Sequence, residues 1–355
     1  MMEESKLFKN EDVLNPEYLP EMLPHRESQI QVLARNIESL ARKRKPQNTF
    51  VVGPPGLGKT ASVKFVFRQF EEYSGIHTIY INTWDYNTSL SVLTKIVLSL
   101  NYPVPTRGIS KSEVIEKLIE LLKKLNKGLV VCLDEVDQLI KKDENALYDL
   151  LRINQYVDLP LCLIMISNYK DIFLNLEPRI KSSLDIEELE FKPYTLQEMK
   201  DILQKRCEEA FRQPVEEGVV LLCANHAISR GGDVRVGLEC LRKASRIAED
   251  ENSDKITVKH VRQILSEVKS VKLNLMKEKL EGVEKNIVGL LEGKELTSNQ
   301  LYDEYVKNFG KISSNALRKH VKHLESIGLV RVKITREGNR GRKYFISLVK
   351  RKIFK

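Results

Sequence analysis

With 355 residues, 42% apolar and 30% charged, the chain is too long for one ordinary core and reads as a soluble protein of two or three domains. No apolar run reaches bilayer-spanning length, and the acidic start Met1-Met2-Glu3-Glu4 argues against a signal peptide. The net charge of +9 is unevenly placed: Lys311 to Lys355 carries fourteen Lys/Arg against Glu325 and Glu337, a net of +12, leaving about −3 for the rest, which is the footprint of a nucleic-acid module at one end.

Residues 1–24, punctuated by Pro16, Pro20 and Pro24, are expected to run over the surface, and Ser28 to about Lys43 to form a helix with Leu33, Ile37 and Leu40 as its apolar stripe. Phe50-Val51-Val52 reads as a short buried strand, and Lys59 to Phe70 as a helix. Between them stands Gly53-Pro54-Pro55-Gly56-Leu57-Gly58-Lys59-Thr60, the G-x-x-x-x-G-K-[ST] phosphate loop. Its glycines let backbone N–H groups turn toward phosphate oxygens at a helix N-terminus. Pro54 and Pro55 lack that N–H and stiffen the entry. The loop residues, with Ala61 after them, are the expected nucleotide-binding set, Lys59 on the β- and γ-phosphates and Thr60 on Mg²⁺.

Ile76 to Asn82 looks like a second strand. The stretch 83–127 is expected to hold helices at Ser89–Leu100 and Ser112–Lys127 around a polar tip containing Arg107. Leu129 to Leu133 is an apolar strand ending in Asp134-Glu135. An Asp at a buried strand end can hold Mg²⁺ through water, and the adjacent Glu can orient and activate an attacking water. Cys132 and Cys162 lie inside apolar runs, and none of the five cysteines has paired ligand spacing, which points to reduced thiols in an intracellular, cytoplasmic protein. Leu161 to Ile166 is another buried strand, and Asn168 beyond it is either a contact to the γ-phosphate or water, or simple turn chemistry. Arg179 is either a finger reaching a neighbour's nucleotide or a surface cation. Glu187 to Phe191 completes an expected five-stranded parallel sheet with ligand at the strand ends.

After Tyr194 the pattern turns helical: Leu196 to Ala210 behind a Thr195/Glu198 capping box, then Val215–Ile228, Asp233–Ala248 and Thr257–Val268. These form an expected lid. Arg235, a cation in the first turn of its helix, opposes the helix dipole, which favours a phosphate contact. Beyond a charged stretch at 270–280, helices at Val283–Leu291, Thr297–Phe309 and Ser313/Ser314–Ile327 precede two strands, Leu329–Thr335 and Arg342–Leu348. Three helices and a hairpin make a winged-helix arrangement, with Asn315, Arg318, Lys319 and Lys322 on the third helix and Arg336, Arg340, Arg342 and Lys343 on the hairpin as expected duplex contacts. Winged helices also dock proteins; the concentrated positive charge favours DNA.

These motifs together resemble the archaeal origin-recognition initiator family, relatives of the eukaryotic origin-recognition and cell-division-control ATPases. The marks specific to that family are Leu23-Pro24-His25-Arg26-Glu27, Leu176-Glu177-Pro178-Arg179-Ile180-Lys181-Ser182-Ser183-Leu184, Phe191-Lys192-Pro193-Tyr194 and Gly232-Asp233-Val234-Arg235. Glu177 stands where the family often has Asp. The resemblance implies an α/β AAA+ domain at 1–193, a helical lid at 194–270 and a winged helix at 275–355. It makes Asn168 the first sensor, Arg179 the arginine finger and Arg235 the second sensor. It places Pro24, His25 and Arg26 near the adenine, gives Tyr194 and Arg206 nucleotide contacts from the lid, and puts a second DNA contact in the insert carrying Arg107. It further implies double-stranded origin DNA, other initiator subunits and the replicative helicase as partners, a nucleoid-associated location, and ATP or retained ADP as a switch in a slow ATPase. A protein-remodelling or loader ATPase and a nucleotide-sensing transcriptional regulator are the alternative readings.

Overall fold

A computed structural model describes residues 5–105, 108–125, 128–158, 161–267, 279–336 and 342–349. The chain forms two compact units, Met1–Val261 and Arg262–Lys355.

In the first unit, α1 (Glu27–Ala41) leads to β1 (Asn48–Val52), α2 (Lys59–Tyr73) and β2 (His77–Asn82). The pair α3 (Ser89–Ser99) and α4 (Lys111–Lys124) precedes β3 (Leu129–Asp134). Then come α5 (Val136–Lys142), α6 (Asn145–Ile153), β4 (Cys162–Ser167), α7 (Pro178–Leu184) and β5 (Ile186–Glu190). The five strands are all parallel, in the order β2-β3-β4-β1-β5. Every residue of β1, β3 and β4 is buried, as expected of central strands covered on both faces. The sequence Ile-Glu-Glu-Leu-Glu of β5 keeps one edge of the sheet charged, which discourages pairing with another chain. The core on the α3/α4 side joins Phe50, Ile81, Val131 and Leu163 to Leu93, Ile96 and Leu118. The stretch Val136–Ile153, without an assignment from sequence, is two helices broken at Asp143, where φ is −153°.

The lid consists of α8 (Leu196–Ala210), α9 (Val219–Ile228), α10 (Val234–Asp250) and a helix α11 over 258–267, within which the two units divide. The capping box expected at Thr195 and Glu198 is present. Helix α9 starts at Val219 rather than Val215 because Gly218 sits in the left-handed region, φ 94°, which an interior helical residue does not adopt.

The N-terminal segment departs from expectation. It does not merely run over the surface: Leu7, Phe8, Val13 and Leu14 are buried. Phe8 bridges Phe211 in antiparallel fashion, and Lys9 N–H donates to the Ala210 carbonyl. The apolar pairs anchor this strap on the lid, at about 2 kcal/mol for each fully buried large side chain.

The second unit contains α12 (Gly282–Leu290), β6 (Glu295–Thr297), α13 (Ser298–Phe309), α14 (Ser314–Ser326), β7 (Val330–Arg336) and β8 (Arg342–Leu348). Its antiparallel sheet has the order β6-β8-β7 around a core that includes Ile287, Leu301, Leu317, Leu324 and Ile346. This is the element order of a winged helix. The three-residue β6, too short to carry a readable alternation, was not anticipated.

Candidate functional site

The phosphate loop springs from the end of β1 and closes into α2. Gly58 caps that helix in a left-handed conformation, φ 83°, which glycine adopts without a Cβ penalty. A Cβ on Gly56 would overlap the Asp233 carboxylate, because the start of α10 docks here, with Val234 N–H donating to the Gly56 carbonyl at 3.1 Å. Lid and loop therefore meet at a glycine, and a cavity of about 710 Å³ lies between the strand ends, the lid and the N-terminal strap.

Lys59 is buried and uses its ammonium three times, toward the Gly53 carbonyl at 2.6 Å, the Pro54 carbonyl at 2.8 Å and Asn168 Oδ1 at 2.8 Å. Burial pushes its pKa down to about 8, against the opposing pull of Glu135 and Asp134. Thr60 Oγ1 donates to Asp134 Oδ2 at 2.7 Å. Asp134 Oδ1 accepts the Glu135 backbone N–H at 2.9 Å. Glu135 itself holds a left-handed backbone, φ 55°, steadied by the Thr83 hydroxyl on its carbonyl at 2.6 Å. Burial, then the charges of Asp134 and Asp137, raises the Glu135 pKa. Asn168 Nδ2 donates to Glu135 Oε2 at 3.2 Å, possible because β4 lies beside β3.

Arg235 reaches the cavity from the lid, clasped by Asp233 with Nε–Oδ1 3.0 Å and Nη2–Oδ2 2.7 Å. Tyr194 Oη donates to the Leu57 carbonyl at 3.1 Å. Arg26 donates to that same carbonyl at 3.0 Å and to the Lys192 carbonyl at 3.0 Å, with its guanidinium 3.8 Å from the Tyr194 ring centre. Arg26 thus braces the loop from behind and does not line the cavity, nor do His25, Gly53, Pro54 and Leu57. His25 pairs with Asp201 of α8 at 3.0 Å. Pro24, Pro55, Gly56, Gly58, Thr60, Ala61 and Arg206 do line it. Arg206, however, spends its guanidinium on the strap, donating to the Val13 and Tyr18 carbonyls at 3.2 Å each. Arg179 lies outside the cavity, ion-paired to Glu177 and donating to Asn145 Oδ1 at 3.1 Å.

Sequence reasoning missed Tyr80, whose Oη donates to Asp134 Oδ2 at 2.7 Å. The signal was faint: alternation in β2 puts Tyr80 and Asn82 on one face, and Asn82 pairs in register with Asp134. It also missed the strap wall around Tyr18 and Leu19.

In the second unit, Asn315, Arg318, Lys319 and Lys322 share the exposed side of α14, while Leu317, Val321 and Leu324 fill the core. Glu284 of α12 accepts from both His320 and His323 at 3.1 and 2.9 Å, fixing the rear of the helix. Lys343 is exposed on β8, and Arg336 and Arg342 are register partners at the hairpin end. The side chains of Arg336 and Arg342, and the whole of Arg107 and Arg340, lie outside the described residues.

Among the described residues, no helix is long and apolar enough to cross a membrane. Residues 42–173 match the AAA domain family and residues 200–264 the Cdc6 AAA+ ATPase-type lid domain. The ORC1-type DNA replication protein 1 of Archaeoglobus fulgidus is 35% identical over 362 residues, covering 96% of this chain and 88% of that protein. Its counterpart in Sulfolobus acidocaldarius is 33% identical, with 98% and 91% covered. The solved structure of the Aeropyrum pernix ORC1 protein in complex with DNA superposes with a TM-score of 0.67 at 31% identity, over 97% of this chain and 94% of that one. With relatives of this identity spanning nearly its whole length, the chain belongs to the ORC1-type DNA replication proteins, a family of AAA+ ATPases.

Proposed function

We propose that this protein is a replication initiator that binds duplex origin DNA through its C-terminal unit and uses ATP and ADP as a switch, within domains at 1–193, 194–270 and 275–355. The observation that carries the nucleotide half is the convergence of Lys59, Thr60, Asp134, Glu135 and Asn168 on one cavity that Arg235 enters from the lid. Lys59 gives up its loop carbonyls for the β- and γ-phosphates, and Arg235 exchanges Asp233 for phosphate. Glu135, held by Asn168, takes the proton of the attacking water. Thr60 and Asp134 offer hard oxygen donors within 2.7 Å of each other, a set suited to Mg²⁺. Bound there, Mg²⁺ would offset charge on the phosphate oxygens. Arg179, which does not line its own chain's cavity, serves a neighbouring initiator subunit's nucleotide.

On the DNA side, α14 enters the major groove and the hairpin follows the backbone. The Aeropyrum pernix relative was solved with DNA, and relatives named as replication proteins favour this reading over a remodelling ATPase or a transcriptional regulator. Recruitment of the replicative helicase is the expected output. The test pairs two titrations on the full-length protein. ADP calorimetry should lose its signal in Lys59→Ala, and origin-duplex anisotropy should lose its signal in Arg318→Ala/Lys319→Ala/Lys322→Ala. Wild-type protein that binds neither ligand would refute the reading.

A further inference from the structure

Asp134 has two carboxylate oxygens, and their surroundings differ. Oδ1 accepts one bond, from the Glu135 backbone N–H. Oδ2 accepts two hydroxyls, Thr60 Oγ1 from α2 and Tyr80 Oη from β2, each at 2.7 Å. Thr60 belongs to the phosphate-loop motif. Tyr80 belongs to no motif; the parallel pairing of β2 with β3 brings it in. It lines the nucleotide cavity beside Asn82 and is wedged under α2, with Lys64 Nζ 4.4 Å from its ring centre. A phenol in that place has one polar atom and spends it on one oxygen of one acid.

We propose that Tyr80 is a positioning residue for the metal side of the ATPase: its O–H pins the Asp134 carboxylate in the single orientation that keeps it against Thr60 for the metal's coordination sphere. The inference rests on the Mg²⁺ assignment made above for Thr60 and Asp134. Its physical content is that a free carboxylate rotates about its terminal torsion and offers either oxygen. Two hydroxyls on Oδ2 remove that freedom, and Thr60 alone does not, because its hydroxyl oxygen must also serve as a ligand. Carboxylates and hydroxyls that orient a metal's direct ligands are worth about ten- to a hundredfold in metal affinity.

The experiment uses full-length protein saturated with ADP and titrates Mn²⁺, followed by electron paramagnetic resonance, in wild type, Tyr80→Phe and Asp134→Asn. ADP affinity in excess chelator and the thermal midpoint are measured alongside. Tyr80→Phe should weaken Mn²⁺ binding to the ADP complex by about tenfold while metal-free ADP affinity and thermal midpoint stay unchanged, and Asp134→Asn should weaken Mn²⁺ further. Unchanged Mn²⁺ binding in Tyr80→Phe with a loss in Asp134→Asn overturns the role of Tyr80 and leaves the metal assignment standing. Loss of metal-free ADP affinity in Tyr80→Phe also overturns it, by making the phenol a packing element. Mn²⁺ binding that ignores both substitutions overturns the metal assignment and the inference with it.

Discussion

Arg235 and Asp233, two residues apart at the start of α10, form a bidentate ion pair, and Asp233 Oδ1 also accepts the Arg235 backbone N–H at 2.9 Å. The acid is thus both the helix cap and the counter-ion of the lid's cation. Nucleotide phosphate must compete with it. Asp233→Asn keeps a cap acceptor and removes the charge. It should tighten ADP binding by about 1 kcal/mol, the scale of a part-exposed charge at a helix N-terminus. Arg235→Ala should weaken binding instead. Calorimetric affinities that move the other way would show that the pair is not in competition with phosphate.

Lys59 carries a pH signature. Its folded pKa, about 8, lies below the ordinary 10.5. Between those values the unfolded chain binds the extra proton, so this lysine costs stability below pH 8 and the cost fades as pH rises to 10.5. The nucleotide-free protein should therefore gain stability across that window relative to Lys59→Met, by on the order of 2–3 kcal/mol. Urea midpoints of the two proteins, compared at several pH values, read the difference directly. Parallel pH curves would mean that the ammonium is not desolvated in the free protein.

The cavity's residues were legible where chemistry is local in the chain. The phosphate loop, Asp134-Glu135 and the Thr195 cap each sit within a few residues of the strand or helix end they serve. The parallel sheet was legible because buried strands are continuous apolar runs. What escaped depends on pairing across the chain. Tyr80 meets Asp134 only because β2 adds beside β3. Arg206, a nucleotide contact by the family resemblance, does line the cavity, but its hydrogen-bond partners are carbonyls nearly two hundred positions away. The strap misled because its apolar residues come as two short pairs in a polar stretch, the buried Leu7, Phe8, Val13 and Leu14.

That strap makes Arg206 a stability residue as well as a cavity one. Removing the guanidinium leaves the Val13 and Tyr18 carbonyls without their donor. Charged hydrogen bonds of this kind are worth about 1.5–3 kcal/mol. Arg206→Ala should lower stability by roughly 2 kcal/mol and speed ADP release, since the strap walls the cavity. Stopped-flow release rates equal to wild type would place the strap outside the nucleotide's exit path.

Glu135 should separate binding from turnover. Glu135→Gln retains a side chain that can still meet Asn168 but cannot take a proton. Hydrolysis should fall by about a hundred- to a thousandfold with nucleotide affinity kept. The raised pKa of Glu135 has the further consequence that turnover declines on acidification sooner than an ordinary glutamate would require, because the protonated acid is no base. A single-turnover rate flat across the carboxylate range would remove Glu135 from the proton-accepting role.

Lys319 and Lys322 stand on the exposed side of α14 behind the buried stripe of Leu317, Val321 and Leu324. A cation that neutralises a phosphate releases counterions, so its loss lowers both affinity and the steepness of the salt dependence. Lys319→Ala/Lys322→Ala should flatten the slope of log affinity against log salt by about 2, equally for origin and unrelated duplexes. Asn315, a side chain that can meet a base edge with both donor and acceptor, should behave differently: Asn315→Ala should narrow the gap between origin and unrelated duplex and leave the slope alone. Anisotropy titrations over a salt series distinguish the two effects. If all three substitutions changed neither slope nor preference, α14 would not be the surface that meets DNA.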